Sequence, residues 1–131
     1  MIDEDFLRAL ERCELPAEEF THTAHVRAGY LYLRAWGFDG ALGRIRQAIR
    51  AYAAHLGKPE KYHETITVAS LALIHERLHE RGDGGGWEAF ARQNQDLCER
   101  DMLLRYYRRP QLESDLARTA FVLPRASCPA E

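Results

Sequence analysis

Three histidines have the types and spacing of a transition-metal site. His22 and His25 are three residues apart at the start of a predicted helix, which places both rings on one helical face about one turn apart. His63 opens another predicted helix, within residues 62–67 (YHETIT). Three neutral imidazoles suit zinc, iron or copper and leave a coordination position open for water or a substrate. If the two helix starts meet, the pattern predicts one divalent transition metal bound by His22, His25 and His63.

Several neighbouring residues are candidates for the surroundings of such a metal. Glu64 follows a predicted ligand directly and is the best candidate for proton transfer, although it points about 100° away around the helix. Tyr32, Tyr62 and Thr67 are placed to shape a pocket. Gly29 lies on the face of His22 and His25 and indicates the close approach of another group. If the protein is an enzyme, such a metal would activate water or dioxygen or polarise a small substrate.

Polar residues also interrupt the apolar stripe of a predicted helix over residues 87–107. Asn94 and Asp101 occupy positions where a core helix is apolar, and a buried polar side chain needs a partner. Asp101 is a candidate for orienting a ligating histidine through its second ring nitrogen. The alternative for Asp101 is an ion pair with Arg27 or Arg34.

The same histidines also fit a second hypothesis that involves no metal. Histidines cap helices and donate hydrogen bonds to carbonyl groups, and the chain would then be a non-enzymatic module that binds a partner or a small ligand. His55, His75 and His79 lie near predicted helix ends, where the helix dipole favours them. The cluster at residues 105–109 (RYYRR) fits either a nucleic-acid surface or a solvated helix end. The sequence leaves open whether the protein is an enzyme.

The sequence predicts five helical segments that position the candidate residues. No sustained alternation of apolar and polar residues predicts a strand. A short helix ends before Pro16, and Thr21 is a predicted N-cap for a helix over residues 22–36 that stops at Gly37. Further helices are predicted from Asp39 to Gly57 and over the two ranges 63–81 and 87–107, followed by a short helix near 112–120 and an irregular tail from about 124 to 131.

These elements predict an all-α fold, a single-domain helical bundle of four main helices with short terminal helices. The length of 131 residues is that of one domain. Successive helices would run up, down and up again. Two helix starts, those carrying His22 and His63, would then share one layer of the bundle.

Composition excludes several other classes of protein. The net charge is −2, from 18 basic and 20 acidic side chains, which disfavours binding to nucleic acid by bulk charge. No apolar stretch is long enough to span a membrane, and the acidic N-terminus is unlike a signal peptide. Cys13, Cys98 and Cys128 contain no CxxC pair, so neither a cysteine zinc site nor a disulfide framework is expected. We therefore expect a cytoplasmic protein, with a small-molecule substrate and a homodimer both left open.

The histidine motifs also carry a resemblance that covers about residues 15–125. Residues 20–26 (FTHTAHV) and 62–67 (YHETIT), with residues 117–118 leading to 121–124 (FVLP), resemble motifs of a group of small uncharacterised bacterial α-helical proteins. Those proteins share FTHxxHV-like and YHxTxT-like motifs. The resemblance implies a helical bacterial protein and brings no substrate or reaction with it.

Overall fold

Helices account for the secondary structure of the computed structural model, which describes residues 1–125. They are α1 (Asp3–Glu11), α2 (His22–His55), α3 (Glu64–Arg81), α4 (Trp87–Gln93), α5 (Arg109–Leu112) and α6 (Asp115–Thr119). Short 3₁₀ turns occur at Ala17–Glu19, Pro59–Lys61, Gln95–Cys98 and Met102–Arg105. Residues 1–125 contain no strand, which confirms the predicted all-α class. Within the same residues, no helix has the length and apolar character needed to cross a membrane.

A kink at Gly37 divides α2 into two halves, residues 22–36 and 38–55. Gly37 has φ 74° and ψ −177°, a conformation that favours glycine. The chain folds back there, because the rings of Phe20 and Tyr52, near the two ends of α2, lie only 5.2 Å apart. The predicted helix end at Gly37 and the predicted N-cap are both confirmed, since the Thr21 hydroxyl accepts a hydrogen bond from Ala24 N–H at 3.2 Å.

Close packing at Gly29 sets how α3 lies against both halves of α2. A Cβ atom on Gly29 would lie 2.9 Å from Ile74 Cδ1, 3.3 Å from Leu71 Cδ1 and 3.8 Å from Ile45 Cδ1. These three side chains are buried in a shared apolar core with Phe6 of α1 and residues of α2. The predicted close approach at Gly29 is therefore confirmed, and the approaching element is α3.

The predicted continuous helix over residues 87–107 is wrong, because α4 ends at Gln93. Asn94 takes φ −135° and is 1% exposed. Its side-chain amide donates to Phe90 O at 2.9 Å, and its side-chain oxygen accepts from Arg77 and Arg81 of α3, each at 3.1 Å. The buried amide thus ends the helix, and the chain continues through two 3₁₀ turns.

Side chains of α3 hold the irregular C-terminal part of the chain. The Thr65 hydroxyl, which is fully buried, donates to Ala120 O at 2.9 Å and accepts from Val122 N–H at 3.2 Å. The predicted short helix near residues 112–120 is confirmed by α6, and α5 precedes it. Residues 124 and 125 are irregular as predicted, and the rest of the predicted tail, residues 126–131, lies outside the described residues.

Candidate functional site

Both ring nitrogens of His63 are used within the protein. His63 is the N-cap of α3, and its Nδ1 accepts a hydrogen bond from Ile66 N–H at 3.1 Å. Its Nε2 lies 2.7 Å from Leu112 O and donates to that carbonyl. Since Nδ1 accepts and Nε2 donates, the ring is neutral with its proton on Nε2. This arrangement leaves no lone pair on His63 for a metal ion.

The ring of His22 is bonded to a different segment of the chain from the ring of His63. Its Nε2 donates to Leu97 O at 3.0 Å, and it borders a small cavity of about 10 Å³ together with Ser70 and Leu73 of α3. His22 is therefore bonded to the turn Gln95–Cys98, whereas His63 is bonded to Leu112 at the end of α5.

His25 is the histidine closest to His22, and it is partly buried. The two ring centroids are 6.4 Å apart, and the ring of Phe20 lies 6.1 Å from His25 on another side. Burial, and secondarily the neighbouring His22, lowers the pKa of His25 to about 4. Its Nε2 is buried and has no hydrogen-bond partner among the described residues. His25 is consequently neutral at physiological pH.

The predicted metal ligands are not assembled as a set of three. His22 and His25 are adjacent, but His63 is bonded elsewhere. Across residues 1–125, no group of three or more His, Cys, Asp or Glu side chains is arranged to hold a metal ion. The remaining histidines, His55, His75 and His79, are exposed. The divalent metal therefore stays a prediction from the sequence.

Glu64, which sequence spacing made a candidate for proton transfer, is a buried carboxylate within a group of polar side chains, the Glu64 cluster, that also contains Arg46, Arg50 and Tyr62. Its side chain is 8% exposed, and Arg46 donates to Oε2 from Nε at 2.9 Å and from Nη2 at 2.5 Å. Tyr62 donates its hydroxyl proton to Oε1 at 2.6 Å, and Arg50 Nη2 lies 3.5 Å from the same oxygen.

These contacts keep the Glu64 carboxylate ionised. Burial is the largest single influence and raises its pKa, but the hydrogen bonds from Tyr62 and Arg46 and the charges of Arg46 and Arg50 outweigh burial and leave the pKa lowered. Burial and the bond to Glu64 raise the pKa of Tyr62 to about 12. A carboxylate with a lowered pKa is a weak base, so the geometry favours a structural role for Glu64 over proton transfer.

Two other residues predicted to shape the pocket form hydrogen bonds in separate places. The Tyr32 hydroxyl is bonded to Glu11 Oε2 at 2.6 Å, and burial together with that bond raises the pKa of Tyr32 far above its usual range. The Thr67 hydroxyl donates to His63 O at 2.8 Å, one helical turn earlier. Thr67 also contacts the Tyr62 side chain of the Glu64 cluster, whereas Tyr32 is bonded to α1.

Asp101 is exposed and lies between two 3₁₀ turns. The alternative prediction, an ion pair of Asp101 with Arg27 or Arg34, is wrong. Arg27 pairs with Asp3 at 2.7 Å, and Arg34 pairs with Asp83 at 3.1 Å. The early end of α4 explains the exposure of Asp101, because the predicted helical stripe does not reach that residue.

An apolar cleft of about 210 Å³ opens beside the Glu64 cluster. The second half of α2 forms its floor, and the turns at Ala17–Glu19 and Pro59–Lys61 border it. Its lining residues are Ala17, Phe20, Ile49, Tyr52, Ala53, Leu56, Lys58, Lys61 and Tyr62. Sequence reasoning missed this cleft because its walls come from three separate segments.

The walls of the cleft are held by hydrogen bonds and ring contacts. Tyr52 donates its hydroxyl proton to Leu15 O at 2.6 Å, and its ring packs edge-on against Phe20. Tyr62 is fixed at the other side by its bond to Glu64. The cleft is therefore largely preformed, as small-molecule sites usually are.

Comparison with known proteins returned no match to a protein-family model, to a curated protein or to a solved structure. The resemblance drawn from residues 20–26 and 62–67 stays a prediction.

Two substitutions of His63 distinguish how much each of its two hydrogen bonds contributes to the free energy of unfolding. We expect His63→Ala to lower the free energy of unfolding by about 2 kcal/mol, since it removes both the N-cap and the bond to Leu112 O. His63→Asn keeps a capping side chain but is too short to reach Leu112 O, so its loss should be about 1 kcal/mol. Urea unfolding of both variants measures the difference.

The same measurement distinguishes a structural histidine from a metal ligand. With a chelator present, we expect both losses to be unchanged, because the bonds of His63 lie within the protein. Losses that appear only when zinc, iron or copper is added would instead support the three-histidine metal site.

Proposed function

We propose that this protein is a non-enzymatic helical module that binds a small ligand in the cleft, and that its histidines have structural roles. The observation that carries the proposal is the preformed apolar cleft of about 210 Å³ beside the Glu64 cluster. Apolar surface that stays open to water is favourably covered by an apolar ligand. The proposal is compatible with the helical bundle that the sequence predicts.

The bonds of His22 and His63 support the structural half of the proposal. Each ring donates to a main-chain carbonyl in the irregular C-terminal half of the chain, at Leu97 O and Leu112 O. That part of the chain has few long helices, so its carbonyl groups need partners from elsewhere. The two histidines supply them and attach these segments to α2 and α3.

A substitution that fills the cleft tests the binding half of the proposal. Ala53 lines the cleft, whereas Ala54 is exposed and does not. We expect the uncharged probe 3-phenylpropan-1-ol to bind the native protein with a Kd of about 1 mM, as befits a ligand of this size. Ala53→Trp should abolish binding, because the indole ring occupies the space, and Ala54→Trp should leave it unchanged.

Isothermal titration or ligand-observed NMR measures this binding. Absence of probe binding to the native protein would contradict the proposal. Equal binding by the native protein and Ala53→Trp would also contradict it, because the probe would then lie outside the cleft.

A further inference from the structure

The only two lysines of the chain stand at the edge of this cleft. Sixteen of the 18 basic residues are arginines, and the two others are Lys58 and Lys61. Both line the cleft at the turn Pro59–Lys61, and both are exposed. In the described part of the chain, neither ammonium group lies within 4.0 Å of a carboxylate. Their positive charges are therefore available to a ligand.

The charges around the cleft are unevenly distributed, with the unpaired positive charges on the side of the two lysines. Glu64 is already paired with Arg46, and Arg50 stacks on Tyr62 with its guanidinium carbon 4.7 Å from the ring centroid. Glu18 and Glu19 lie on the opposite border, in the turn Ala17–Glu19, and their charges act on Tyr52. Glu60, between the two lysines in sequence, is the exposed acidic residue on the lysine side. Lys58 and Lys61 outnumber it there.

We propose that the ligand of the cleft is a small organic anion with an apolar body. The anionic group pairs with Lys58 and Lys61, and the apolar body covers Ile49, Tyr52 and Leu56. This inference rests on the proposed function, and it adds the chemical class of the ligand. Glu18 and Glu19 oppose the reverse orientation, since like charges repel.

The volume of the cleft limits the size of the ligand. Its volume of about 210 Å³ is below the range of about 300–1,000 Å³ that is typical of pockets for drug-sized ligands, which favours a small ligand. A single-ring acid with a short side chain fits this space. The probe 3-phenylpropionate has the expected size, ring and charge.

Paired probes that differ only in charge test the proposal. We expect 3-phenylpropionate to bind about fivefold tighter than the neutral 3-phenylpropanamide, because two exposed ion pairs each contribute modestly. The preference should shrink in high salt, which screens surface charges. It should disappear in the double variant Lys58→Gln/Lys61→Gln and remain in the control Arg92→Gln/Arg100→Gln, which removes two exposed charges that do not line the cleft.

The outcomes separate this inference from the proposed function. Equal affinity of the native protein for the two probes, with Ala53→Trp abolishing both, would overturn the anion inference and leave the cleft as a ligand site. A preference that survives Lys58→Gln/Lys61→Gln would also overturn it. Failure of both probes to bind the native protein would overturn the proposed function itself.

Discussion

Replacing Glu64 by glutamine is expected to lower the free energy of unfolding by about 3 kcal/mol. The variant keeps the shape of the side chain but removes the charge that Arg46 contacts through two nitrogens and that Tyr62 contacts through its hydroxyl. Removing one partner of a buried ion pair costs about 3–5 kcal/mol. The lower end applies because the Arg46 side chain remains 36% exposed and is partly hydrated after the change.

Glu60→Gln is the matched control for this experiment. Glu60 is exposed in the adjoining turn, so its neutralisation should change the free energy of unfolding by less than about 0.5 kcal/mol. Urea unfolding with a constant m-value measures both variants. An effect of Glu64→Gln as small as that of Glu60→Gln would show that the Glu64 cluster does not stabilise the fold.

Helix ends were predictable where their causes are local. The cap at Thr21 and the break at Gly37 depend on residues within one turn of themselves. The end of α4 at Gln93 was not predictable, because the partners of the Asn94 side chain include Arg77 and Arg81 from another helix. Sequence periodicity shows that Asn94 is unusual but does not identify what it contacts.

The candidate site also depends on contacts between distant parts of the chain, which sequence spacing does not identify. Helical spacing correctly predicts that His22 and His25 are neighbours. The partner of His63 is not predictable from that spacing, because its Nε2 donates to Leu112 O, 49 residues further along the chain. The apolar cleft depends further on three segments meeting, with Lys58 and Lys61 as the one compositional signal at its edge.

Acid is expected to destabilise the protein between pH 6.5 and 4 by about 3 kcal/mol through His25 alone. The pKa of His25 falls from its ordinary value of 6.5 to about 4 in the folded protein, chiefly through burial and then through His22. Between these two values the unfolded chain binds the proton and the folded chain does not. The free energy of unfolding therefore rises with pH across this window and is lost as the pH falls.

Urea unfolding at pH 7, 5.5 and 4 tests this prediction with two variants. In His25→Leu the loss between pH 7 and 4 should shrink by about 3 kcal/mol, since no proton binds at that position. His55→Gln, which alters an exposed histidine, should keep the full loss. Asp96, whose pKa is lowered to about 2, chiefly by its hydrogen bond with Arg77, contributes its own loss mainly below pH 4. Glu64, whose pKa is lowered from 4.5, contributes a loss that begins near pH 4.5 and is common to the native protein and both variants. A His25→Leu protein as acid-sensitive as the native one would show that His25 is not the group that resists protonation.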